Sequence, residues 1–393
     1  MKRTIEDIAL QGKKVFLRVD FNVPLDDSGN ILDTSRIIKE LPTIKYMLSK
    51  GARVIICSHL GRPKGQPNPK LSLISVAKYL VQHLHCKVRF SPSAIGEEAK
   101  AKANELEDGE VLVLENIRFY QEEEENSPVF ASKLAELADI YVNDAFGTAH
   151  RKHASTYGIA KLLPNAVGFL MGKEINTISS VLDKPTRPMI AILGGAKVSD
   201  KLAIVHNLID KCDTVLIGGG MAYTFLKAKG YEIGKSLYEE QCLEDAKNII
   251  NEAQQKGTKL LLPIDHICAT IFSPNSEAIY VKDTNIPAEL SGLDIGKKTI
   301  KLYKEEIKKA NTIIWNGPMG VFEFVNFRKG TQKIAQTVAK NKGKAIVGGG
   351  DSISAINALK LQNKIYHIST GGGASLKLIS GQVLPGVEVI TEK

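Results

Sequence analysis

Arginine and histidine recur in the first half of this chain wherever a short apolar run ends. Arg18-Val19-Asp20-Phe21-Asn22 follows one run, His59-Leu60-Gly61-Arg62-Pro63 the next, Glu115-Asn116-Ile117-Arg118 a third, and Asn143 to Arg151, with His150, a fourth. Arg36 comes after a short acidic turn. Only ten arginines are present, and eight precede residue 152. The planar guanidinium suits bidentate recognition of phosphate and carboxylate. For any single Arg, a surface ion pair worth about 1 kcal/mol or less is the ordinary reading, and a lone His is ordinarily structural. For a set at successive run ends, the reading is a small, highly anionic ligand.

The second half places glycine where the first places arginine. Its loops are Gly194-Gly195-Ala196-Lys197, Gly218-Gly219-Gly220, Gly348-Gly349-Gly350-Asp351-Ser352 and Gly371-Gly372-Gly373-Ala374-Ser375. Glycine lets backbone N–H groups approach phosphate oxygens, and a helix start adds a favourable dipole. One triplet is weak evidence, because tight turns also need glycine. Four of them after four apolar runs predict a nucleotide with several phosphates. Lys197 and Lys201 stand where ammonium groups would neutralise phosphate. Asp351 is a candidate for Mg²⁺, a hard cation that favours carboxylate and phosphate oxygens. Taken alone, Asp351 and Ser352 fit helix capping better. No G-x-G-x-x-G is present, and the stretch Gly230 to Ser236 is one residue short of a Walker A loop and follows a helical pattern. An ordinary dinucleotide-dependent dehydrogenase and a P-loop enzyme are therefore disfavoured.

These loops need strands to hold them. The apolar runs are short and rich in Val and Ile: 15–17, 54–57, 111–114 and 140–142, then 189–193, 214–217, 260–262, 312–315, 345–347 and 365–368. Such runs suit strands buried on both faces, and helical patterns between them give βαβ units. In doubly wound sheets ligands bind at the carboxyl ends of the strands. The expected fold is α/β, with two doubly wound parallel-sheet, Rossmann-like domains. Residues 171–183 read as a helix that the prolines at 185 and 188 end. A hinge and an ordinary surface helix are equally good readings of it. The run Glu122 to Glu125 reads as a solvated loop.

The formal charge of +9 comes from 52 Lys and Arg against 43 Asp and Glu, and a Lys-rich solvated surface is the plain reading. Nucleic acid is the rival partner, but no basic run with interleaved aromatics appears. Five scattered cysteines with no C-x-x-C pair argue against a disulfide framework and a zinc site, and suit a reduced cytoplasmic setting. No signal peptide or membrane span is read.

The motifs RVDFNVP (18–24), HLGRP (59–63), LENIRF (114–119), DAFGTAHR (144–151), LGGAKVSDK (193–201), LIGGGMAYTFLK (216–227), WNGPMGVFE (315–323), VGGGDS (347–352) and STGGGASL (369–376) resemble the phosphoglycerate kinase family over nearly the whole chain. The resemblance implies reversible phosphoryl transfer from 1,3-bisphosphoglycerate to MgADP, giving 3-phosphoglycerate and MgATP after closure about a hinge; no feature demands a partner chain, so a monomer is the default expectation. The resemblance also implies a triose-binding domain (1–170 with a C-terminal return, 379–393), a hinge helix (171–185) and a nucleotide domain (186–378). By the same resemblance Asp20, Phe21, Asn22, Arg36, His59, Leu60, Gly61, Arg62, Arg118 and Arg151 hold the triose. Lys197 meets the transferring phosphoryl group, and the N–H groups of Gly371, Gly372 and Gly373 stabilise the transition state. Lys201, Gly292, Glu323, Gly349, Gly350, Asp351 and Ser352 hold the nucleotide, with Asp351 on Mg²⁺ and Glu323 on the ribose. Two positions depart from the family pattern. Lys377 replaces a usual Glu near the start of a glycine-loop helix, where its charge is mildly unfavourable. Lys152 replaces a small residue.

Overall fold

The computed structural model describes residues 1–393. Its contacts divide the chain into two units, Met1–Asn176 with Val383–Lys393, and Thr177–Gln382. The helix Phe169–Asp183 spans the division. Each unit is built on a six-stranded parallel sheet, so the fold class is α/β as its apolar runs imply.

In the first unit the strands are β1 (Lys14–Arg18), β2 (Arg53–Cys57), β3 (Val88–Ser91), β4 (Val111–Leu114), β5 (Ile140–Asn143) and β6 (Asn165–Val167). Their order is β3-β4-β2-β1-β5-β6. β4 is Val-Leu-Val-Leu and every side chain on it is buried, the mark of a strand covered by helices on both faces. Each such aliphatic side chain contributes about 1.5–3 kcal/mol on burial. The C-terminal segment stays with this unit: Arg3 N–H donates to Thr391 O at 2.9 Å, and Asn143 Nδ2 to Gly386 O at 3.1 Å.

In the second unit the strands are β7 (Met189–Leu193), β8 (Thr214–Ile217), β9 (Lys259–Leu261), β10 (His266–Ala269), β11 (Ile279–Val281), β12 (Ser291–Ile295), β13 (Thr312–Asn316), β14 (Lys344–Gly348) and β15 (His367–Ile368). The main sheet runs β15-β14-β13-β7-β8-β9, and β11-β10-β12 form a small antiparallel sheet that the apolar runs did not announce. The expected run 365–368 shrinks to two residues, because a 3₁₀ turn over Gln362–Lys364 delays entry into the sheet.

The acidic run corrects an expectation. Gln121–Glu124 is a helical turn, and Glu123 is fully buried. It accepts hydrogen bonds from Ser155 N–H (2.8 Å) and Ser155 Oγ–H (2.6 Å). All five cysteines are unpaired. No helix is long and apolar enough to cross a membrane.

Candidate functional site

The first unit gathers its cationic residues beyond the carboxyl ends of β1, β2, β4 and β5. Asp20 is nearly buried and forms an ion pair with Arg36 Nη1, from the first turn of the helix Ser35–Ser49. Asn22 Oδ1 accepts from Gly61 N–H at 2.9 Å, tying the first loop to the second. Gly61 needs its left-handed φ of 63°, and a Cβ there would lie 2.7 Å from Leu71. Phe21 and Leu60 turn their side chains into the core. Their N–H groups donate to Ser58 Oγ and Asn116 Oδ1, so both residues shape the loops. Arg18 also faces inward. It is fully buried, donating to Ser155 Oγ at 2.8 Å and to Val19 O, which removes it from the ligand-facing set.

His59 is held by this interior. Arg18 Nη2 lies 3.3 Å from its Nδ1, and a guanidinium can only donate. Nδ1 is therefore the acceptor and the proton sits on Nε2, 4.0 Å from Asp20 Oδ1. Burial, then the charges of Arg18, Arg118 and Arg151, push its pKa well below the ordinary imidazole value.

Arg118 is the least satisfied member of the cluster. Its Nη1 donates to Gly61 O at 2.9 Å. Its Nη2 is buried with no hydrogen-bond partner, and its Nε has only Glu124 Oε1, 3.4 Å away. Burial, then Arg151 and Arg18, lower its pKa to about 10. A guanidinium with idle donors among like charges is prepared for an anion. Arg62 is exposed, and Arg151 half-buried with its Nε 3.4 Å from His150 Nε2.

In the second unit a cleft of about 500 Å³ opens at the carboxyl ends of the strands, a size that suits a nucleotide. Gly195, Gly219, Gly220, Gly292, Glu323 and Asp351 line it, together with residues not singled out as site candidates: Tyr223, Leu237, Phe272, Leu293 and Val321. These supply an apolar wall fit for a base. Gly292 is required by packing, since a Cβ there would lie 2.2 Å from the Tyr223 hydroxyl. Asp294, next along β12 and fully buried, accepts from Ile295 N–H (2.9 Å) and Gly330 N–H (2.6 Å), fastening the strand to the helix Lys329–Lys340. Burial raises its pKa to about 8 against those two hydrogen bonds.

The four glycine loops divide into two kinds. N–H groups of Gly194, Gly195, Gly218 and Gly219 donate to Asn316 O, Pro318 O, Leu193 O and Met319 O, all at 2.8–3.0 Å. In these two loops those four N–H groups are spent on backbone carbonyls, while Gly195, Gly219 and Gly220 line the cleft. The other two are open. Gly350 begins the helix Gly350–Ala358 and Gly372 precedes the helix Gly373–Ile379, and neither would bring a Cβ within 4 Å of another atom. Gly371 N–H donates to Ser369 Oγ at 3.2 Å, which leaves Gly372 and Gly373 with first-turn N–H groups free for an anion. Gly349, with φ of 89°, caps the first of these helices without side-chain help; Ser352 Oγ instead accepts from Gly317 N–H at 2.6 Å.

Lys197 is exposed, on a loop whose next two N–H groups donate to Glu239 Oε2 at 2.6 and 2.9 Å. Lys201 packs toward Gly195, and its pKa falls through burial, opposed by Asp200 and Asp351. Lys377 lies in the last turn of its seven-residue helix. Its charge is favourable there, reversing the expected penalty. Lys152 Nζ lies 4.8 Å over the Tyr157 ring.

An arginine cluster with an idle buried donor on one sheet and a nucleotide-sized cleft on the other fit a kinase acting on a small acid. The phosphoglycerate kinase family profile matches residues 5–382. Phosphoglycerate kinase of Clostridium botulinum (strain Alaska E43) is 54% identical over 394 residues, covering 100% of this chain and 99% of that protein. The enzyme of Koribacter versatilis is 54% identical over 401 residues, covering 100% of both. Solved phosphoglycerate kinase structures align as well. That of Coxiella burnetii has a TM-score of 0.90 at 38% identity, covering 99% of this chain and 98% of that one; that of Pyrococcus horikoshii has 0.78 at 33%, covering 98% of each. The chain belongs to the phosphoglycerate kinase family, kinases that transfer phosphate to a carboxyl acceptor.

Proposed function

We propose that 3-phosphoglycerate is held by Arg36, Arg62, Arg118 and Arg151 with Asn22 and His59, and that ADP or ATP occupies the cleft lined by Gly292, Glu323 and Asp351. The buried, unpartnered Nη2 of Arg118 carries this reading, because it leaves a strong donor idle until an anion arrives. Asp20 orients Arg36 at the reacting carboxyl end. A carboxylate is already a nucleophile, so no general base is needed, and the chemistry asks for positioning and charge stabilisation. Lys197 and the free N–H groups of Gly372 and Gly373 would meet charge on the transferring group. Lys201 and the start of the helix Gly350–Ala358 would hold the remaining phosphates.

Asp351 suits a Mg²⁺ ion carried by the nucleotide. It is exposed in the first turn of that helix, and no group of three metal-ligating side chains exists elsewhere. Mg²⁺ bound with nucleotide phosphates needs only one or two carboxylates. The ion would neutralise phosphate charge. Acid and nucleotide must meet in line, and the helix Phe169–Asp183 is the proposed hinge.

The test is a coupled assay with 3-phosphoglycerate and MgATP, reading 1,3-bisphosphoglycerate through a dehydrogenase. Turnover that needs both substrates and Mg²⁺, and that collapses in a folded Arg36→Ala protein, is expected. Near-normal turnover in that variant would remove Arg36 from the site.

A further inference from the structure

The chain's charge is concentrated. Residues 297–344 contain twelve Lys and Arg, three Glu and no Asp, an excess of nine that equals the excess of the whole chain. The fold turns part of this stretch into a cavity. The helices Lys297–Lys309 and Lys329–Lys340 pack against each other. Lys304 and Lys308 from one, Lys333 and Lys340 from the other, and Lys342 from the loop before β14 line a cleft of about 550 Å³. None of the five makes an ion pair. Glu306, the buried carboxylate of this region, is taken by Lys259 (2.7 Å) and Lys309 (3.2 Å).

Lysines at helix ends ordinarily serve the last carbonyls. Here Asn341 has that task. Its Nδ2 donates to Ile307 O at 2.7 Å and Ala310 O at 3.0 Å, and its N–H reaches Thr337 O and Val338 O, both at 3.1 Å. The ammonium groups are left with neither carboxylates nor helix carbonyls to neutralise them. Five like charges around one concavity repel each other and raise the local concentration of anions.

We infer that this cleft binds a small polyanion, a compound bearing two or more phosphate groups. It lies at the amino ends of β13 and β14, whereas the nucleotide cleft lies at the carboxyl ends, and the two share no lining residue. Its volume is that of a small-ligand site. No aromatic or large apolar side chain lines it, which disfavours nucleic-acid strands and membrane surfaces, both of which call for such groups.

The test is calorimetric titration of the full chain with inorganic tripolyphosphate at constant ionic strength. ADP and 3-phosphoglycerate are present at saturation so that both substrate sites are filled. One tripolyphosphate per chain is expected. The triple variant Lys308→Gln, Lys340→Gln, Lys342→Gln is expected to bind it at least tenfold more weakly, with unchanged turnover and an unchanged or raised Tm. No binding by the wild-type chain, or equal binding by the triple variant, would overturn the assignment. So would a short DNA duplex that binds more tightly than tripolyphosphate at equal phosphate concentration, since the surface would then be a nucleic-acid groove.

Discussion

Glu40 and Asp144 are buried neighbours, and burial pushes both carboxyl pKa values up. Both are fully buried, and burial followed by the neighbouring Asp144 charge pushes the Glu40 carboxyl well up. Glu40 Oε2 has no donor in reach, so a proton on Glu40 turns an orphaned acceptor into a donor to Asp144. The pair links two important places: Glu40 Oε1 accepts from Asp20 N–H at 3.3 Å, and Asp144 Oδ1 accepts from Met171 N–H at 2.7 Å, at the start of the helix Phe169–Asp183.

Glu40→Gln should therefore fold well. In the wild type the folded state keeps a proton that the unfolded chain releases above its ordinary carboxyl pKa, so this contribution is full below about pH 4.5 and declines as pH rises. Gln has no such term. Its stability relative to wild type should grow by about 1 kcal/mol for each pH unit over which folded Glu40 stays protonated, seen in urea melts between pH 5 and 8. Glu40→Leu strands the Asp20 N–H, while Asp144 keeps Thr43 and Met171 as donors, and should cost roughly 1–3 kcal/mol. A pH-independent difference for Gln would show that the pair is not protonated.

His59 should stay neutral through the range in which imidazoles ordinarily titrate. In ¹⁵N-labelled protein its Nε2 should carry the proton and Nδ1 should show the shift of an acceptor throughout that range. With its folded pKa depressed, its stability contribution is complete above about pH 6.5 and falls away below it, as the unfolded chain takes up a proton that the folded site resists. A midpoint near 6.5 would mean that Arg18 does not hold the ring.

The fold was legible because parallel strands covered on both faces leave continuous apolar runs, as in Val111–Leu114 and Met189–Leu193. The small sheet was not, since Ile279–Val281 is three half-buried residues without a distinct period. The acids and arginines of the first unit were marked by residue type. Arg18 and Glu123 were misread because their shared partner, Ser155, is 137 and 32 residues away in sequence. The apolar wall of the second unit's cleft comes from five separate segments, and no local pattern joins Tyr223, Leu237, Phe272, Leu293 and Val321. The glycine loops look alike in sequence, but what lies within a few ångströms of each decides its task.

That difference between glycines is measurable. A Cβ on Gly194 would lie 2.0 Å from Pro318 O, so Gly194→Ala should destabilise the second unit by roughly 1–3 kcal/mol in urea melts. A Cβ on Gly350 would meet nothing within 4 Å, so Gly350→Ala should leave stability unchanged or raise it by about 0.4–1 kcal/mol. Its ADP affinity should still fall, because the methyl group crowds phosphates at the helix start. Gly350→Ala with unaltered ADP binding would move the phosphates elsewhere.

Arg118 separates binding from folding. Without ligand its charge is opposed by Arg151 and Arg18, and its single well-placed hydrogen bond is to Gly61 O. Arg118→Gln removes the repulsion together with the donors, so the melting temperature of the ligand-free protein should stay within a few degrees of wild type. The affinity for 3-phosphoglycerate should fall by about 10–100-fold, the value of a charge-assisted hydrogen bond or two, measured by calorimetry. Arg118→Lys should not restore it, because a single ammonium cannot reach Gly61 O and an anion with the spread of a planar fork. Undiminished affinity in Arg118→Gln would mean that the idle Nη2 serves no ligand, and the triose site would then have to rest on Arg36, Arg62 and Arg151 alone.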